Sequence, residues 1–263
     1  MNNWFAPDWP APELAEKVGA LVTTRGGLFA DEGYGAFNLG DHVGDDTATV
    51  AAHREALSSP LGVSQIQWLA QVHGTAVCQA TVDSARQSVF QAPPADASFT
   101  LERGLALAIM TADCVPIVLA DSAGGWVAAL HGGWRGLVDG IVAQLVQQLQ
   151  ATVPSAPDTW CAWIGPAICG AHYEVGAEVA AAVRAGAPQQ APEMLGLRQG
   201  RSPDKYQLDL VQLARWQLAR QGIEAVTASR LCSFGDARFY SHRRSVAAGA
   251  GATGRMATLV WLR

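Results

Sequence analysis

The sequence predicts a mixed-sheet α+β fold, or a layered α/β fold, in one domain over residues 1–263. Short apolar runs bounded by turn residues outnumber the helical patterns, with roughly nine or ten strands to four helices. These elements follow one another in mixed order rather than in strict alternation, which argues against a Rossmann or TIM-barrel plan. No fixed-period repeat, low-complexity block or linker divides the sequence. Fragments similar to GxGxxG do not open a helix after a strand, so a dinucleotide-binding motif is not predicted.

The stretch over 105–136 organises the predicted fold. Its apolar runs predict buried strands over 105–110, 115–120 and 126–130. Polar residues follow where strands end: Thr111, Asp113 and Cys114 after the first strand, and His131, Trp134 and Arg135 after the third. A thiol, an imidazole, a carboxylate and a guanidinium at strand ends are typical of a sheet that presents chemistry to a ligand. The alternative is a pair of glycine-rich loops around an ordinary buried Cys.

The N-terminal part predicts two loops that carry polar candidates. A strand is predicted over 18–24, and the Arg25-Gly26-Gly27 loop brings a guanidinium to its end. Residues 34–46 are rich in Gly and Asp and show neither the helical nor the strand period, which predicts an irregular loop. Asn38 and His42 lie in this loop. Because loops carry function more often than cores do, both side chains are candidates.

The next segment predicts a second strand-end histidine. A helix is predicted over 47–57, and strands are predicted over 66–70 and 76–80. The turn between these strands contains His73, so its position is similar to that of His131. A lone His in a turn is more often structural, but a second strand-end His and a Cys favour a shared site.

The remaining segments complete the predicted order of elements. The predicted helices lie over 137–149, 174–185 and 210–221, and Asp209 is predicted to cap the last of them. The remaining predicted strands lie over 160–164, 225–228, 238–241 and 256–262. Residues 84–94 are predicted to form a polar surface connection, and residues 245–254 a mobile glycine-rich loop.

Composition excludes several classes of function. The net charge is −5 and no basic run occurs, so nucleic acid is not a predicted partner. The N-terminal residues lack the pattern of a signal peptide, and no apolar run reaches the roughly 18 to 20 residues of a membrane span. The five cysteines are an odd number at irregular spacing, which is not a disulfide framework. We therefore expect a cytoplasmic protein with reduced thiols and no membrane partner.

The strand-end cluster is compatible with three kinds of chemistry. His73, Cys114 and His131 form a candidate His₂Cys set on separate elements, and three protein ligands with an open fourth position are typical of catalytic zinc. Copper also accepts thiolate and imidazole ligands. A metal-free alternative uses Cys114 as a nucleophile, with His131 or His73 as its base. A multicopper oxidase needs more ligands than six histidines without a His-x-His pair provide.

Charged residues near the cluster are candidates for supporting roles. Asp113 is a candidate catalytic residue, either as a general base or as the hydrogen-bond partner of a ligand. Arg25 and Arg135 are candidates for holding an anion, since a guanidinium binds phosphate through two parallel hydrogen bonds.

A set of motifs resembles a known family. The motifs are TTRGG (23–27), FNLGDHVGD (37–45), QVHG (71–74), ADAS (95–98), MTADCVPI (110–117), HGGWRG (131–136), IGPAI (164–168), YEVG (173–176) and GRMA (254–257). Together they resemble the YfiH-like, or laccase-domain, purine nucleoside phosphorylases. No single motif carries the resemblance, but the ordered set is highly specific.

The resemblance implies a fold, an activity and a set of site residues. It implies a monomeric four-layer α/β/β/α sandwich with mixed β-sheets, and metal ligands at His73, Cys114 and His131. It also implies zinc-assisted phosphorolysis of adenosine, inosine, guanosine and methylthioadenosine, with adenosine deamination at the same site. Within this function, Asn38 and His42 are candidates for contacting the base or ribose, and Arg25 or Arg135 for holding phosphate.

The chain departs from the family pattern at several positions. Gly132 stands where the family commonly has Ala, the loop of TTRGG is one residue shorter, and the 245–254 segment is longer. Cys169 and His172 lie at a variable family position, and no ligand role is predicted for them. The remaining cysteines, Cys78, Cys161 and Cys232, are predicted to be core residues.

Overall fold

The computed structural model describes residues 4–26, 33–89 and 91–263, except the side chains of residues 59 and 60. Gly27 of the predicted arginine-bearing loop lies outside the described residues. The strands in this part of the chain are β1 (Trp4–Phe5), β2 (Val18–Thr23), β3 (Gln65–Gln67), β4 (Val77–Gln79), β5 (Ala97–Thr100), β6 (Leu105–Thr111), β7 (Val115–Asp121), β8 (Val127–Gly132), β9 (Trp160–Ile164), β10 (Glu174–Gly176), β11 (Leu197–Gln199), β12 (Lys205–Leu208), β13 (Ala225–Ala228) and β14 (Met256–Leu262). The helices are α1 (Leu14–Lys17), α2 (Thr47–Leu61), α3 (Val82–Ser88), α4 (Trp134–Val138), α5 (Ile141–Thr152), α6 (Ala177–Ala185), α7 (Leu210–Arg220) and α8 (His242–Ala247), with short 3-10 turns at Pro157–Thr159 and Pro192–Leu195.

The strands form two large mixed sheets and a small one. The first sheet has the order β1-β2-β14-β6-β3, and the second has the order β13-β9-β7-β8-β5-β4. Each combines antiparallel pairs with parallel ones, such as β3 with β6 and β13 with β9. The small sheet, β10-β12-β11, is antiparallel.

Alternating side chains along the central strands create the layers. On β6, Leu105, Leu107 and Ile109 point into the core between the two sheets, and the intervening residues point toward α2. On β7, Val118 faces that same core, and Ile117 faces the core beneath helices α4 to α7. A strand with both faces buried reads as a continuous apolar run, because the two-residue period serves two cores at once.

The layers confirm the predicted fold class. Helix α2 covers the first sheet, the two sheets face each other, and helices α4 to α7 cover the second sheet. The result is the mixed α+β, four-layer α/β/β/α arrangement. Within the residues that are described, no helix combines the length and apolar character of a membrane span.

Several predicted elements were wrong in type or extent. Residues 84–94 were predicted to be a surface connection, but α3 forms there because Thr81 and Ser84 cap it reciprocally and Ala85 is buried. The predicted 137–149 helix is divided into α4 and α5 at Gly140, whose φ of 94° breaks the helical path.

Three further boundaries differ from the prediction. Residues 238–241 do not form a strand, because Arg238 folds back onto Asp236 through several hydrogen bonds. The predicted 245–254 loop begins inside α8, and Ser245 Oγ donates to the Ala252 carbonyl at 2.7 Å. Helix α2 continues past the predicted end at residue 57 to Leu61, which is buried in the core.

Candidate active site

Three separate elements bring a thiol and two imidazoles together. His73 lies in the turn between β3 and β4, Cys114 lies between β6 and β7, and His131 lies on β8. One ligand atom from each lies within 4.8 Å of the other two. Cys114 Sγ is 3.7 Å from His73 Nε2, and the two imidazole centroids are 4.7 Å apart in an edge-to-face arrangement. The predicted ligand set therefore converges in space.

A buried carboxylate organises two of the three ligands. Asp96 is fully buried, and its Oδ1 accepts hydrogen bonds from the His73 backbone at 3.0 Å and from His131 Nδ1 at 2.8 Å. Its Oδ2 accepts from the backbone N–H groups of Val72 and Gly74 at 3.1 and 2.8 Å. With Nδ1–H donated to Asp96, the lone pair of His131 lies on Nε2, as a metal-ligating tautomer requires.

The backbone is strained at this cluster. His73 has a φ of 59° and Asp113 a φ of 99°, in the left-handed region that non-glycine residues rarely adopt. Such conformations cost on the order of 1–3 kcal/mol each and persist only where surrounding contacts hold them. Here three backbone N–H groups that donate to Asp96 hold the His73 turn in place. The hydrogen bonds that the Asp113 side chain accepts hold the backbone at Asp113.

Cys114 and His131 stabilise each other's charged forms when no metal is bound, and their donor atoms suit a cation that takes the place of the imidazolium proton. Burial opposes ionisation of Cys114, but His131 and His73 outweigh it and lower the pKa of the thiol to about 6. Burial likewise lowers the pKa of His131, but Cys114 and Asp96 outweigh it and raise this pKa to about 9. Two imidazoles and a thiolate on rigid elements are a donor set for zinc or copper. The residues therefore fit a metal ion.

Gly133 leaves the room that His73 needs. A Cβ placed on Gly133 would lie 2.6 Å from His73 Cδ2 and 3.5 Å from Cys114 Sγ. The first distance is shorter than real side chains allow, so the absence of a side chain lets the loop approach the imidazole. Close packing against His73 thus explains why the second glycine of HGGWRG, Gly133, has no side chain.

A cavity of about 380 Å³ opens above the cluster. It is lined by His42, Gln71, Asp113, Trp134, Arg135, Tyr173, His242, Arg243 and Arg255 in addition to the three candidate ligands and residues 110–112. Three guanidinium groups from distant parts of the chain thus border one cavity. Such a concentration of positive charge favours an anionic ligand.

The three cavity arginines are held differently. Arg255 Nη1 donates to the carbonyls of Thr253 and Gly254, and burial lowers the pKa of its guanidinium. Arg243 donates to the Glu174 carbonyl at 3.0 Å. Arg135 is exposed and its guanidinium stacks 4.5 Å from the Trp134 ring.

Asp113 lines the cavity as part of its framework. Its Oδ1 accepts from the Ser233 hydroxyl at 2.7 Å, and its Oδ2 accepts from the Arg243 backbone N–H at 2.7 Å. The second bond lies in the first turn of α8, where a carboxylate is favoured by the helix dipole. Asp113 therefore fixes the helix that carries Arg243.

Of the three predicted substrate-binding residues, the structure places one at the cavity and two away from it. His42 lines the cavity and its side chain is 53% exposed. Arg25 is only 4% exposed, lies against Tyr240 and does not line the cavity. Asn38 is fully buried, and its amide binds Asp45 and the Arg255 backbone at 2.9 and 2.7 Å. Asn38 thus holds the segment that carries Arg255.

Sequence reasoning assigned no role to four residues at this site: Asp96, Tyr173, Arg243 and Arg255. Each of Asp96, Tyr173 and Arg255 lies inside a quoted motif, namely ADAS, YEVG and GRMA, which is a signal that could have identified them. Arg243 lies outside the motifs. Burial, together with the charges of Cys114 and Asp113, raises the pKa of Tyr173 to about 12, so its hydroxyl keeps its proton.

Comparison with known proteins identifies the family. Residues 19–263 match the family model described as multi-copper polyphenol oxidoreductase laccase. The chain belongs to this family. It is 40% identical to a purine nucleoside phosphorylase of Pseudomonas aeruginosa over 264 residues, covering all of both chains. It is 35% identical to the purine nucleoside phosphorylase YfiH of Escherichia coli, again over the full length of both.

A solved structure of this family has the same fold. A protein from Neisseria meningitidis is 37% identical to the chain, covers 99% of it and is itself covered to 99%, with a TM-score of 0.84. The predicted family resemblance is therefore confirmed. The family description refers to copper and phenol oxidation, whereas the named relatives are nucleoside phosphorylases.

Proposed function

We propose that the chain is a zinc-dependent purine nucleoside phosphorylase acting in the cavity above His73, Cys114 and His131. The observation that carries this proposal is the convergence of three arginines on a cavity beside a His₂Cys donor set. Phosphorolysis needs both a place for a phosphate dianion and a place for a neutral nucleoside. The names of the bacterial relatives support the same activity.

The arginines hold phosphate in this proposal. Arg135 and Arg243 come from α4 and α8, and Arg255 directly precedes β14, so three separate elements bring guanidinium groups to the cavity in which phosphate would bind. A guanidinium matches phosphate geometry through two parallel N–H bonds, which offsets the desolvation of the dianion. Arg243 and Arg255 are fixed by carbonyl contacts, and exposed Arg135 adds a third positive charge to the cavity.

The reaction is a substitution at the anomeric carbon. A phosphate oxygen forms a bond to ribose C1′ as the bond from C1′ to the purine nitrogen breaks, and the base leaves with that electron pair. The departing base takes up a proton, and the other product is ribose 1-phosphate. Positive charge develops on the ribosyl group, and the dianion held by the arginines stabilises it at close range.

The metal ligands have a defined place in this proposal. His73, Cys114 and His131 would hold zinc, which supplies Lewis acidity next to the cavity. Asp96 orients His131, and Tyr173 keeps its proton for hydrogen bonding to substrate. Adenosine deamination and phosphorolysis of methylthioadenosine belong to the same proposal, because one purine pocket serves all these substrates.

A nucleoside panel with and without phosphate tests the proposal. Adenosine, inosine, guanosine and methylthioadenosine should release free base only with phosphate, with equimolar ribose 1-phosphate or its methylthio analogue. Adenosine should also form inosine without phosphate. Metal analysis of the same sample should find zinc, and phosphate-independent base release would instead indicate a hydrolase.

Two alternatives remain measurable with the same protein. The 3.7 Å approach of Cys114 Sγ to His73 favours a metal-free cysteine hydrolase or amidase as second candidate. Fully active metal-free protein in which a thiol reagent traps Cys114 would establish it. The family description favours a copper-dependent polyphenol oxidase, which predicts stoichiometric copper and oxygen uptake with phenols.

A further inference from the structure

A second cluster of metal-binding side chains lies outside the cavity lining. It consists of Cys169, His172 and Cys232, whose ligand atoms all lie within 4.8 Å of one another. His172 Nδ1 is 3.1 Å from Cys169 Sγ and 3.5 Å from Cys232 Sγ. The sequence predicted no ligand role for these residues and a core position for Cys232, yet Cys232 is only half-buried.

The backbone brings the two thiols together from distant segments. Cys169 and His172 lie in one turn after β9, where the His172 N–H donates to the Cys169 carbonyl at 2.9 Å. Cys232 lies after β13 and forms a β-bridge with Ala167. The Ser233 N–H also donates to the Ala167 carbonyl at 3.0 Å. The positions of both sulfurs are therefore set by main-chain hydrogen bonds rather than by the side chains themselves.

The separations match those of a tetrahedral soft-metal site. Zinc bonds of about 2.3 Å to sulfur and 2.0–2.1 Å to nitrogen place sulfur and nitrogen about 3.5 Å apart. The distance to Cys232 Sγ, 3.5 Å, equals this value, the distance to Cys169 Sγ, 3.1 Å, is somewhat shorter, and Nδ1 faces both sulfurs. A single imidazole N–H donates one proton, whereas a metal ion binds both thiolates and the nitrogen lone pair at once.

Two neighbouring contacts fix a sulfur atom and the imidazole in place. The Cys169 backbone N–H donates to Cys232 Sγ at 3.3 Å. The Phe234 ring stacks on His172 with centroids 4.6 Å apart and planes 25° apart. His172 is exposed, so a fourth position is open to water.

We propose that Cys169, His172 and Cys232 bind a second zinc ion, which fastens the 165–173 turn to the 229–236 segment behind Asp113. Each segment also contacts Asp113 directly, since the Ile168 N–H donates to its carbonyl at 2.9 Å and Ser233 Oγ to its carboxylate at 2.7 Å. Tyr173, next to His172, lines the cavity. The second ion therefore supports one wall of the active site.

The test is zinc stoichiometry in the full chain. Protein loaded with zinc under reducing conditions and freed of excess metal should carry about two zinc ions per chain, one for each three-ligand cluster. Cys169→Ser combined with Cys232→Ser should reduce this to about one, and His73→Ala should do the same through the other cluster. Cys78→Ser, a half-buried cysteine outside both clusters, is the matched control and should keep both ions.

Cobalt substitution and the single variant His172→Ala test the second site even if the double cysteine variant does not fold. Cobalt bound to thiolates gives a charge-transfer absorption, and part of it should persist in Cys114→Ser and disappear when Cys169 and Cys232 are also replaced. If the double variant does not fold, exposed His172→Ala serves in its place and should weaken retention of the second ion. One zinc per chain in the wild type, unchanged in His172→Ala, overturns the proposal. So does a Cys169–Cys232 disulfide that forms in place of zinc binding.

Discussion

The two His–Cys clusters use similar donors but are built in different ways. In the first, His131 is buried on a strand and Asp96 fixes both it and the His73 turn. In the second, all three ligands lie in loops, the one histidine is exposed as His73 is, and an aromatic ring rather than a carboxylate contacts it. Hydrogen bonding to a carboxylate raises ligand basicity and fixes ring orientation, whereas stacking fixes the ring plane alone.

The residues that surround the two clusters also differ. Three arginines and a protonated tyrosine border the cavity at the first cluster. The second cluster lies between two chain segments that both contact Asp113. Left-handed backbone occurs near both clusters, at His73 and Asp113 in the first and at Arg230, two residues before Cys232, in the second. Cys169 also lines a separate cavity, which one arginine and two carboxylates border, so the three arginines rather than strain or the presence of a cavity distinguish the first cluster.

Removing one histidine from each cluster should separate them most strongly. His131→Ala should abolish zinc at the first cluster and lower phosphorolysis by at least about a thousandfold, equivalent to about 4 kcal/mol. His172→Ala should change the rate far less, because its side chain does not line the cavity. Initial rates with inosine and phosphate, with zinc measured on the same samples, check this. Similar activity losses in both variants would contradict the division into reactive and structural clusters.

Asp96→Asn should weaken the first cluster without affecting the second. In the wild type, each Asp96 carboxylate oxygen accepts hydrogen bonds from two N–H groups. In either orientation of the asparagine amide, its NH₂ group would therefore face two hydrogen-bond donors. We expect zinc affinity at the first cluster to fall by roughly ten- to a hundredfold. Competition with a chelator measures this. Asp121→Asn is the matched control, since Asp121 is also buried and accepts a backbone N–H in a turn away from the cavity. An equal effect of both variants would mean that Asp96 acts through general stability.

Arg135→Lys should affect phosphate use and spare the metal. Lysine keeps the charge but loses the planar fork, so phosphate-dependent base release from inosine should fall by roughly ten- to a hundredfold, or about 1.4–2.8 kcal/mol. Adenosine deamination, which uses no phosphate, should fall much less. Arg220→Lys is the matched control, because Arg220 also stacks on a tryptophan, Trp216, but does not line the cavity. Equal loss of both activities with zinc retained would mark Arg135 as structural.

The parts of the molecule that the sequence predicted well are those with local signals. The runs that became β6, β7 and β8 are apolar on both faces, so their position was evident, and the polar residues that follow them identified the candidate ligands. Asp209 was correctly predicted as the cap of α7, where it accepts from the Gln212 N–H. A short side chain before a helical pattern is a local signal as well.

The parts that it did not predict depend on distant contacts. Arg243 reaches the cavity because Asp113, 130 positions earlier, binds the first turn of α8. Arg255 is placed by Asn38, which is 217 positions away and which was predicted to contact substrate. Hydrophobic periodicity carries no information on such pairings, since it describes local structure and these contacts join segments far apart in the sequence.

The smallest expected effect is a difference in zinc affinity between alanine variants of two glycines at the first cluster. Gly133→Ala would place a Cβ 2.6 Å from His73 Cδ2, so the imidazole must shift away from the position that Asp96 imposes on its turn. Gly74→Ala is the matched control, because its Cβ would lie 3.5 Å or more from its neighbours in the same turn. Gly133→Ala should lower zinc affinity by about tenfold, or about 1.4 kcal/mol, and Gly74→Ala by much less. Chelator competition measures both, with the zinc at Cys169, His172 and Cys232 as an internal reference. Equal affinities in the two variants would show that the His73 turn accommodates the methyl group, and that Asp96 alone determines the position of the ligand.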